Sequence, residues 1–264
     1  MGVLNVTPDS FYDRGRFFDR KKAVKHALDM ERDGADIIDV GGESTRPGAV
    51  DVSVNEELSR VVPVIRAISK KVKAAISIDT RKAKVADAAL KAGASIVNDV
   101  SALKSDPGMA GVIAKHRAGI ILMHMRGKPK DMQANPKYVD LLKDIAGSLK
   151  KSIGLAKKAG IKDDKIIIDP GIGFGKTVEH NLQILRGLKS FKKLGYPICI
   201  GTSRKSFIGK ILGSVDPEDR LSGSLATAVV AAMNGANIIR THDVGFTRQS
   251  LKMVDVMIST NKRR

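Results

Sequence analysis

The chain has no tryptophan and a single cysteine, Cys199, among its 264 residues. One cysteine excludes a disulfide framework, and its place inside an apolar run fits a reducing, cytoplasmic setting. Aromatic residues make up only 4%, too few for the base-stacking platforms of single-strand nucleic-acid binders. The longest apolar stretch, 225–233, is far too short to span a bilayer, so no membrane partner is expected. Met1 leads straight into Gly-Val-Leu-Asn-Val-Thr-Pro with no basic head and no cleavage signal. Acidic residues are scarce beside basic ones, 28 against 46, which leaves a formal net charge of +18. Such an excess suits nucleic acid, but the basic residues fall in small clusters at 20–25, 70–73, 150–158 and 189–193, spread along the whole chain. Solvated helix faces account for that spread. No nucleic-acid partner is expected, and the charge instead favours anionic substrates.

The chain has plenty of material for a core, with 42% apolar residues. Short apolar runs recur about every thirty residues, the scale of repeated βα units. They lie at 3–6, 35–40, 74–79, 95–98, 119–124, 165–169, 197–200 and 236–240. Helical patterns at 20–33, 54–71, 82–92, 106–117, 138–159, 178–194, 217–233 and 245–259 separate or follow them. Ser53, with Glu56 three residues on, reads as the cap of the second helix. Alternating strands and helices imply a parallel sheet with helices outside. Eight units favour a closed (β/α)8 TIM barrel over an open sheet, with residues 1–264 as one domain.

A barrel of this kind gathers its chemistry at the C-terminal ends of its strands. Polar residues end the runs: Asn5, Glu43 to Arg46, Asp79, Asn98, His124, Asp169, Ser203 to Lys205, and Arg240 with His242. A carboxylate at the end of an apolar strand is costly unless it is paired or bound. Asp79 and Asp169 therefore read either as members of buried salt bridges or as acceptors for the amino and ring N–H groups of a heterocycle. Asn98, which both donates and accepts, fits the second task. Arg46, Arg240 and His242 converge on the same mouth and suit phosphate oxygens. Asn5 is compatible with Mg²⁺ shared with a substrate diphosphate, because Mg²⁺ often takes few protein ligands. No His/Cys cluster suggests zinc, and His124 reads as packed or hydrogen-bonded rather than catalytic. Gly171-Ile-Gly-Phe-Gly-Lys-Thr177 lacks the spacing of either a P-loop or a dinucleotide fingerprint. It reads as a flexible turn with Phe174 exposed on it. In Gly201-Thr-Ser-Arg-Lys-Ser206, charge and a following helix start first suggest that Arg204 and Lys205 clamp an anion.

Taken together, Asn5-Val-Thr-Pro-Asp-Ser-Phe11, Gly41-Gly-Glu-Ser-Thr-Arg-Pro-Gly48, Ser77-Ile-Asp-Thr80, Asn98-Asp99, Leu122-Met-His-Met125, Asp169-Pro-Gly, Phe174-Gly-Lys176, Ser203-Arg-Lys-Ser206 and Arg240-Thr-His-Asp243 resemble the dihydropteroate synthases. The likeness covers nearly the whole chain, in order. It implies a (β/α)8 barrel, usually a homodimer, that joins p-aminobenzoate to 6-hydroxymethyl-7,8-dihydropterin diphosphate and releases diphosphate. It also implies roles. Asp79, Asn98 and Asp169 would bind the pterin with Met123 lining its pocket, and Lys205 would contact the ring beside Gly201. Asn5 would hold Mg²⁺. Arg46, Arg240 and His242 would meet the diphosphate with Thr45 nearby, and Pro47, Phe174 and Ser206 would form the p-aminobenzoate side. Lys205, Asp79 and Asp169 are the residues expected to carry catalysis, and Arg204 is left to a structural salt bridge. Family members usually have a hairpin that plugs the barrel floor; here Met1 almost abuts the first motif, so a short first strand and an open floor are expected. The rivals are a pterin-dependent methyltransferase on the same barrel and a non-catalytic basic nucleic-acid binder.

Overall fold

Runs dominated by isoleucine and valine form the strands, because branched side chains pack well on a pleated surface. The computed structural model describes residues 1–7, 20–44, 49, 51–127, 132–133 and 135–259. Its strands are β1 (Gly2–Asn5), β2 (Ile37–Gly41), β3 (Ala75–Asp79), β4 (Ile96–Asp99), β5 (Gly119–Met123), β6 (Ile166–Asp169), β7 (Cys199–Gly201) and β8 (Ile238–Arg240). The first six pair in chain order, all parallel, and β7 pairs with β8. Two bridges close the ring: Ile168 with Ile198, and Gly2 with Thr241. The Ile168 N–H donates to the Pro197 carbonyl at 2.9 Å and the Val3 N–H to the Thr241 carbonyl at 3.0 Å. The expected (β/α)8 barrel is present.

The helices are α1 (Arg20–Arg32), α2 (Val54–Ile68), α3 (Ala83–Ala92), α4 (Met109–His116), α5 (Leu141–Lys158), α6 (Val178–Arg186), α7 (Ser206–Ile211), α8 (Leu221–Met233) and α9 (Val244–Ser259). Each turns an apolar stripe to the barrel. On α5 the stripe is Leu141, Ile145, Leu149, Ile153 and Ala156, at helical spacing. Removing one such Leu or Ile from water contributes about 1.5–3 kcal/mol. The Ser53 hydroxyl accepts the Glu56 N–H at 3.2 Å, so the expected cap is in place. The helix expected over 178–194 is interrupted: α6 ends at Arg186, and Leu188–Leu194 continues as tighter 3₁₀ turns. Gly187 between them is a poor helix former.

Strand register sets the rim of the barrel. Asn5 lies beside Gly41, Gly41 beside Asp79, and Asp79 beside Asn98. Further round, Met123 pairs with Asp169 and Gly201 with Arg240. Inside the barrel, Met1, Ile121 and Cys199 form a buried apolar layer against Ile37, Ile96, Ile167 and Ile238. As expected, β1 is short, and Ile37, Ile96, Ile167 and Ile238, near the N-terminal ends of β2, β4, β6 and β8, are only half-buried.

Candidate active site

The centre of the rim is a buried network of charge that begins one layer below the strand ends. Asp39, fully buried in β2, accepts the Arg240 Nε–H at 2.7 Å and the Asn98 amide N–H at 3.1 Å. Arg240 Nη2 donates to Asp79 at 2.9 Å. Burial works against the Arg240 charge, but the Asp39 and Asp79 carboxylates outweigh it and push its pKa up. Asp79 is driven up to about 7, first by burial and then by the charge of Asp39, with Arg240 opposing. Its Oδ1 is buried with no protein partner. An acceptor so placed is costly to leave unmet, and it is available to an N–H of a bound molecule.

Asp169 ends β6 and accepts the Gly171 N–H at 2.7 Å. Burial raises its pKa, while that N–H and the charges of Lys205 and Lys176 pull the other way. Lys205, at the start of α7, holds its Nζ 4.2 Å from the centre of the Phe174 ring, within cation–π range. Phe174 is not exposed, as the sequence suggested; only 8% of it is accessible, and it packs with Val100, Met123 and Met132. The flanking turn is drawn onto the segment between β5 and α5, where Tyr138 Oη donates to the Gly175 carbonyl and the Gln133 amide to that of Gly173. That packing covers the ring.

The loop after β7 sorts the residues that charge alone could not. Arg204 makes a two-pronged ion pair with Asp243, at 2.6 and 3.1 Å, and its carbonyl accepts from Arg220. It is the structural salt bridge expected of it, and only Lys205 of the pair lines the pocket. Ser203 receives the His242 backbone N–H at 3.1 Å and lies 3.0 Å from His242 Nδ1. The Ser203 hydroxyl, one donor with two acceptor lone pairs, pairs with Nδ1 in either imidazole tautomer. Burial, then Arg240 and Arg204, hold His242 down to about 3. It is a neutral imidazole at neutral pH.

The pocket is lined by Asp79, Asn98, Val100, Met123, Asp169, Ile172, Phe174, Gly201, Lys205 and Arg240. Asn5 stands beside it on the rim, its Oδ1 and the Asp79 side chain both facing Gly41, and Ser206 opens α7 just past Lys205. Thr45, Arg46 and Pro47 lie outside the described residues. The start of their loop is tied down at Glu43, which pairs with Arg81 at 2.5 Å and with Lys82. His124 is packed and hydrogen-bonded to Lys176, 3.0 Å from its Nδ1. The sequence reading missed Asp39, Val100, Ile172 and Lys176. Asp39 had a signal, a carboxylate inside the apolar run Asp36-Ile-Ile-Asp39; the two apolar residues had none.

The site joins an acceptor-rich floor (Asp79, Asn98, Asp169) to a cationic and aromatic wall (Lys205, Phe174), with the neutral imidazole of His242 nearby. It suits a flat ring with several N–H groups on one edge. A family profile described as pterin binding enzyme matches residues 1–242. The dihydropteroate synthase of Clostridium beijerinckii is 50% identical over 98% of this chain and 93% of its own; that of Escherichia coli K12 is 48% identical over 100% and 93%. Among solved structures, the Yersinia pestis dihydropteroate synthase with a sulfonamide drug complex superposes with a TM-score of 0.93 at 46% identity, covering 98% of this chain and 94% of that one. A Xanthomonas albilineans dihydropteroate synthase in complex with 7,8-dihydropteroate superposes at 0.88 and 40% identity, covering 97% and 92%. The chain belongs to the pterin-binding enzymes and, among them, to the dihydropteroate synthase family.

Proposed function

We propose that this barrel, residues 1–264 as one domain, condenses p-aminobenzoate with (7,8-dihydropterin-6-yl)methyl diphosphate at the rim just described, releasing diphosphate. The observation that carries the reading is the convergence of Asp79, Asn98 and Asp169 with Lys205 and Phe174 around one pocket. The unpartnered Oδ1 of Asp79 and the carboxylate of Asp169 accept the amino and ring N–H groups of the pterin, and Lys205 approaches the same ring. Diphosphate leaves the methylene carbon first. The pterin ring spreads the resulting positive charge, which the buried carboxylates stabilise more strongly than they would in water. The arylamine nitrogen then attacks the methylene carbon and gives up its proton. No protein nucleophile takes part, and the rate comes from position and electrostatics.

On the leaving-group side, His242 meets the diphosphate as a neutral imidazole and Arg46 and Arg240 supply charge, with Thr45 nearby. Arg240 links the two halves, because the same guanidinium that grips Asp39 and Asp79 lines the pocket. Among the described residues no group of three acidic, histidine or cysteine side chains could cage a metal. Asn5 offers one neutral oxygen, which fits Mg²⁺ bound mainly through substrate phosphates and water. A Mg²⁺ held by Asn5 would neutralise charge on the departing diphosphate. Pro47, Phe174 and Ser206 form the p-aminobenzoate side.

The assembly is a homodimer. Phe246, Met253, Val256 and Met257 on α9 and Val230 and Met233 on α8 are exposed large apolar side chains on adjoining helices. Such a patch on a soluble protein marks a protein contact. No helix of the described residues is long and apolar enough to cross a membrane, and the enzyme works in the cytoplasm. The function is tested by incubating folded protein with the pterin diphosphate, Mg²⁺ and p-aminobenzoate. Equimolar dihydropteroate and diphosphate are expected; the absence of both would overturn the reading.

A further inference from the structure

Lys176 is a buried lysine with no carboxylate in contact among the described residues. Only 3% of it is accessible, and none of its described contacts is an ion pair. Its Nζ lies 3.0 Å from the Phe174 carbonyl, 3.0 Å from His124 Nδ1 and 3.4 Å from the His124 carbonyl. An isolated ammonium in such a place is expensive, and three acceptors around three N–H donors are what offset it. Two of these partners sit at the end of β5, and the third is the main chain of the residue whose ring walls the pocket. Lys176 is therefore a tie between two barrel loops, made at the backbone of Phe174.

The neighbouring backbone shows how closely the loops are pressed together. A Cβ on Gly171 would come 1.9 Å from the His124 carbonyl oxygen, and one on Gly175 would come 2.4 Å from that of Arg126. Both glycines have positive φ, 75° and 65°. Asn181 completes the turn by accepting the Gly173 N–H at 2.7 Å. The charged groups that act on the pair are few. Asp169 favours the Lys176 charge and Lys205 opposes it, while Lys104 and Arg126 act on His124.

We propose that Lys176, through its bonds to the Phe174 carbonyl and His124, is a positioning residue that sets the Phe174 ring against Lys205 and so shapes the seat of the second, arylamine substrate. This rests on the functional reading above, which places p-aminobenzoate beside Phe174. The two carbonyls can only accept. If all three contacts are donated by an ammonium, His124 Nδ1 must accept, and the ring proton sits on Nε2. A neutral amine would reverse that last bond and place the proton on Nδ1. The tautomer of His124 therefore reports the state of the tie. Burial lowers Lys176 to about 7, and burial followed by the Lys176 charge holds His124 down to about 2, which is in keeping with a cation facing a neutral imidazole.

The test combines kinetics with histidine ¹⁵N chemical shifts on the intact protein. In the wild type at pH 6, His124 is expected as the neutral Nε2–H tautomer. Hydrogen bonds to a charged group are worth about 1.5–3 kcal/mol, so Lys176→Met is expected to raise KM for p-aminobenzoate about ten- to a hundredfold. Affinity for the pterin diphosphate should move by less than about threefold, since about 0.6 kcal/mol or less reaches that half of the pocket. His124→Gln, which keeps an acceptor, should stay near wild type, whereas His124→Leu should match Lys176→Met, and the double variant should be no worse than either. An unchanged p-aminobenzoate KM in folded Lys176→Met, equal losses for both substrates, or an Nδ1–H tautomer in the wild type would overturn the proposal. If Lys176→Met does not fold, the two His124 variants and the tautomer decide. A wild type that makes no dihydropteroate would remove the functional reading, and the nitrogen shifts alone would then judge the tie.

Discussion

Asp79 and Asp39 share one guanidinium, and this arrangement determines how the pocket responds to pH. Asp79 titrates near 7 because burial and Asp39 outweigh Arg240. A pterin ring presenting N–H groups prefers the ionised form, so its affinity should rise between pH 6 and 8, by up to about tenfold per unit on the acid side. Calorimetric titration across that range checks this, and Asp79→Asn should bind weakly with the slope abolished. Lys205→Ala, which removes the cation over Phe174, should lower kcat/KM for the pterin diphosphate by about tenfold or more; unchanged kinetics would show Lys205 to be misplaced. Both residues were legible in the sequence because a charged group that ends an apolar strand stands out. Charge and position alone did not separate Arg204 from Lys205; the family resemblance did. The fold supplies the partners, Asp243 for Arg204 and the Phe174 ring for Lys205. Asp39 escaped notice because it sits mid-strand, and nothing in a run of residues says which face points into a barrel.

Elements were easier to read than their ends. Every strand and helix expected from periodicity is present, because the apolar stripes of α2, α3 and α5 are long and regular. The break at Gly187 and the 3₁₀ turn before α8 are decided by packing. The turn after β6 was read as flexible because it is rich in glycine; here the glycines serve close packing instead. Gly171→Ala should destabilise the fold by roughly 2–4 kcal/mol, since the added carbon meets a carbonyl oxygen and φ is positive. A urea midpoint measures this. By contrast, Ser53→Ala removes one cap and should cost only about 1 kcal/mol.

Across the whole molecule, the barrel was predictable from unit count and strand-end chemistry, whereas the apolar layer inside it was not. The layer of Met1, Ile121 and Cys199 comes from three distant segments and has no local pattern. Acid stability is also a property of the whole. His124 and His242 are held far below the ordinary histidine range, to about 2 and about 3. A depressed folded pKa contributes stability that is present above the unfolded value of about 6.5 and is lost as pH falls. Asp79 has the opposite sign, its contribution fading as pH rises through about 7. Asp99 and Asp169 share the sign of Asp79, and His26 and His180 that of His242, so the net slope is a balance of these groups. His242→Gln removes one histidine's share, and urea titrations at each pH should show its stability falling less than that of the wild type between pH 6.5 and 4. The central claim, that the strand-end pocket holds the pterin and the loops after β6 and β7 hold the arylamine, is tested most directly by a crystal structure with 7,8-dihydropteroate bound. The account predicts the pterin edge on Asp79, Asn98 and Asp169 with the aryl group beside Phe174 and Ser206; a ligand seated elsewhere, or reversed in that pocket, would contradict it.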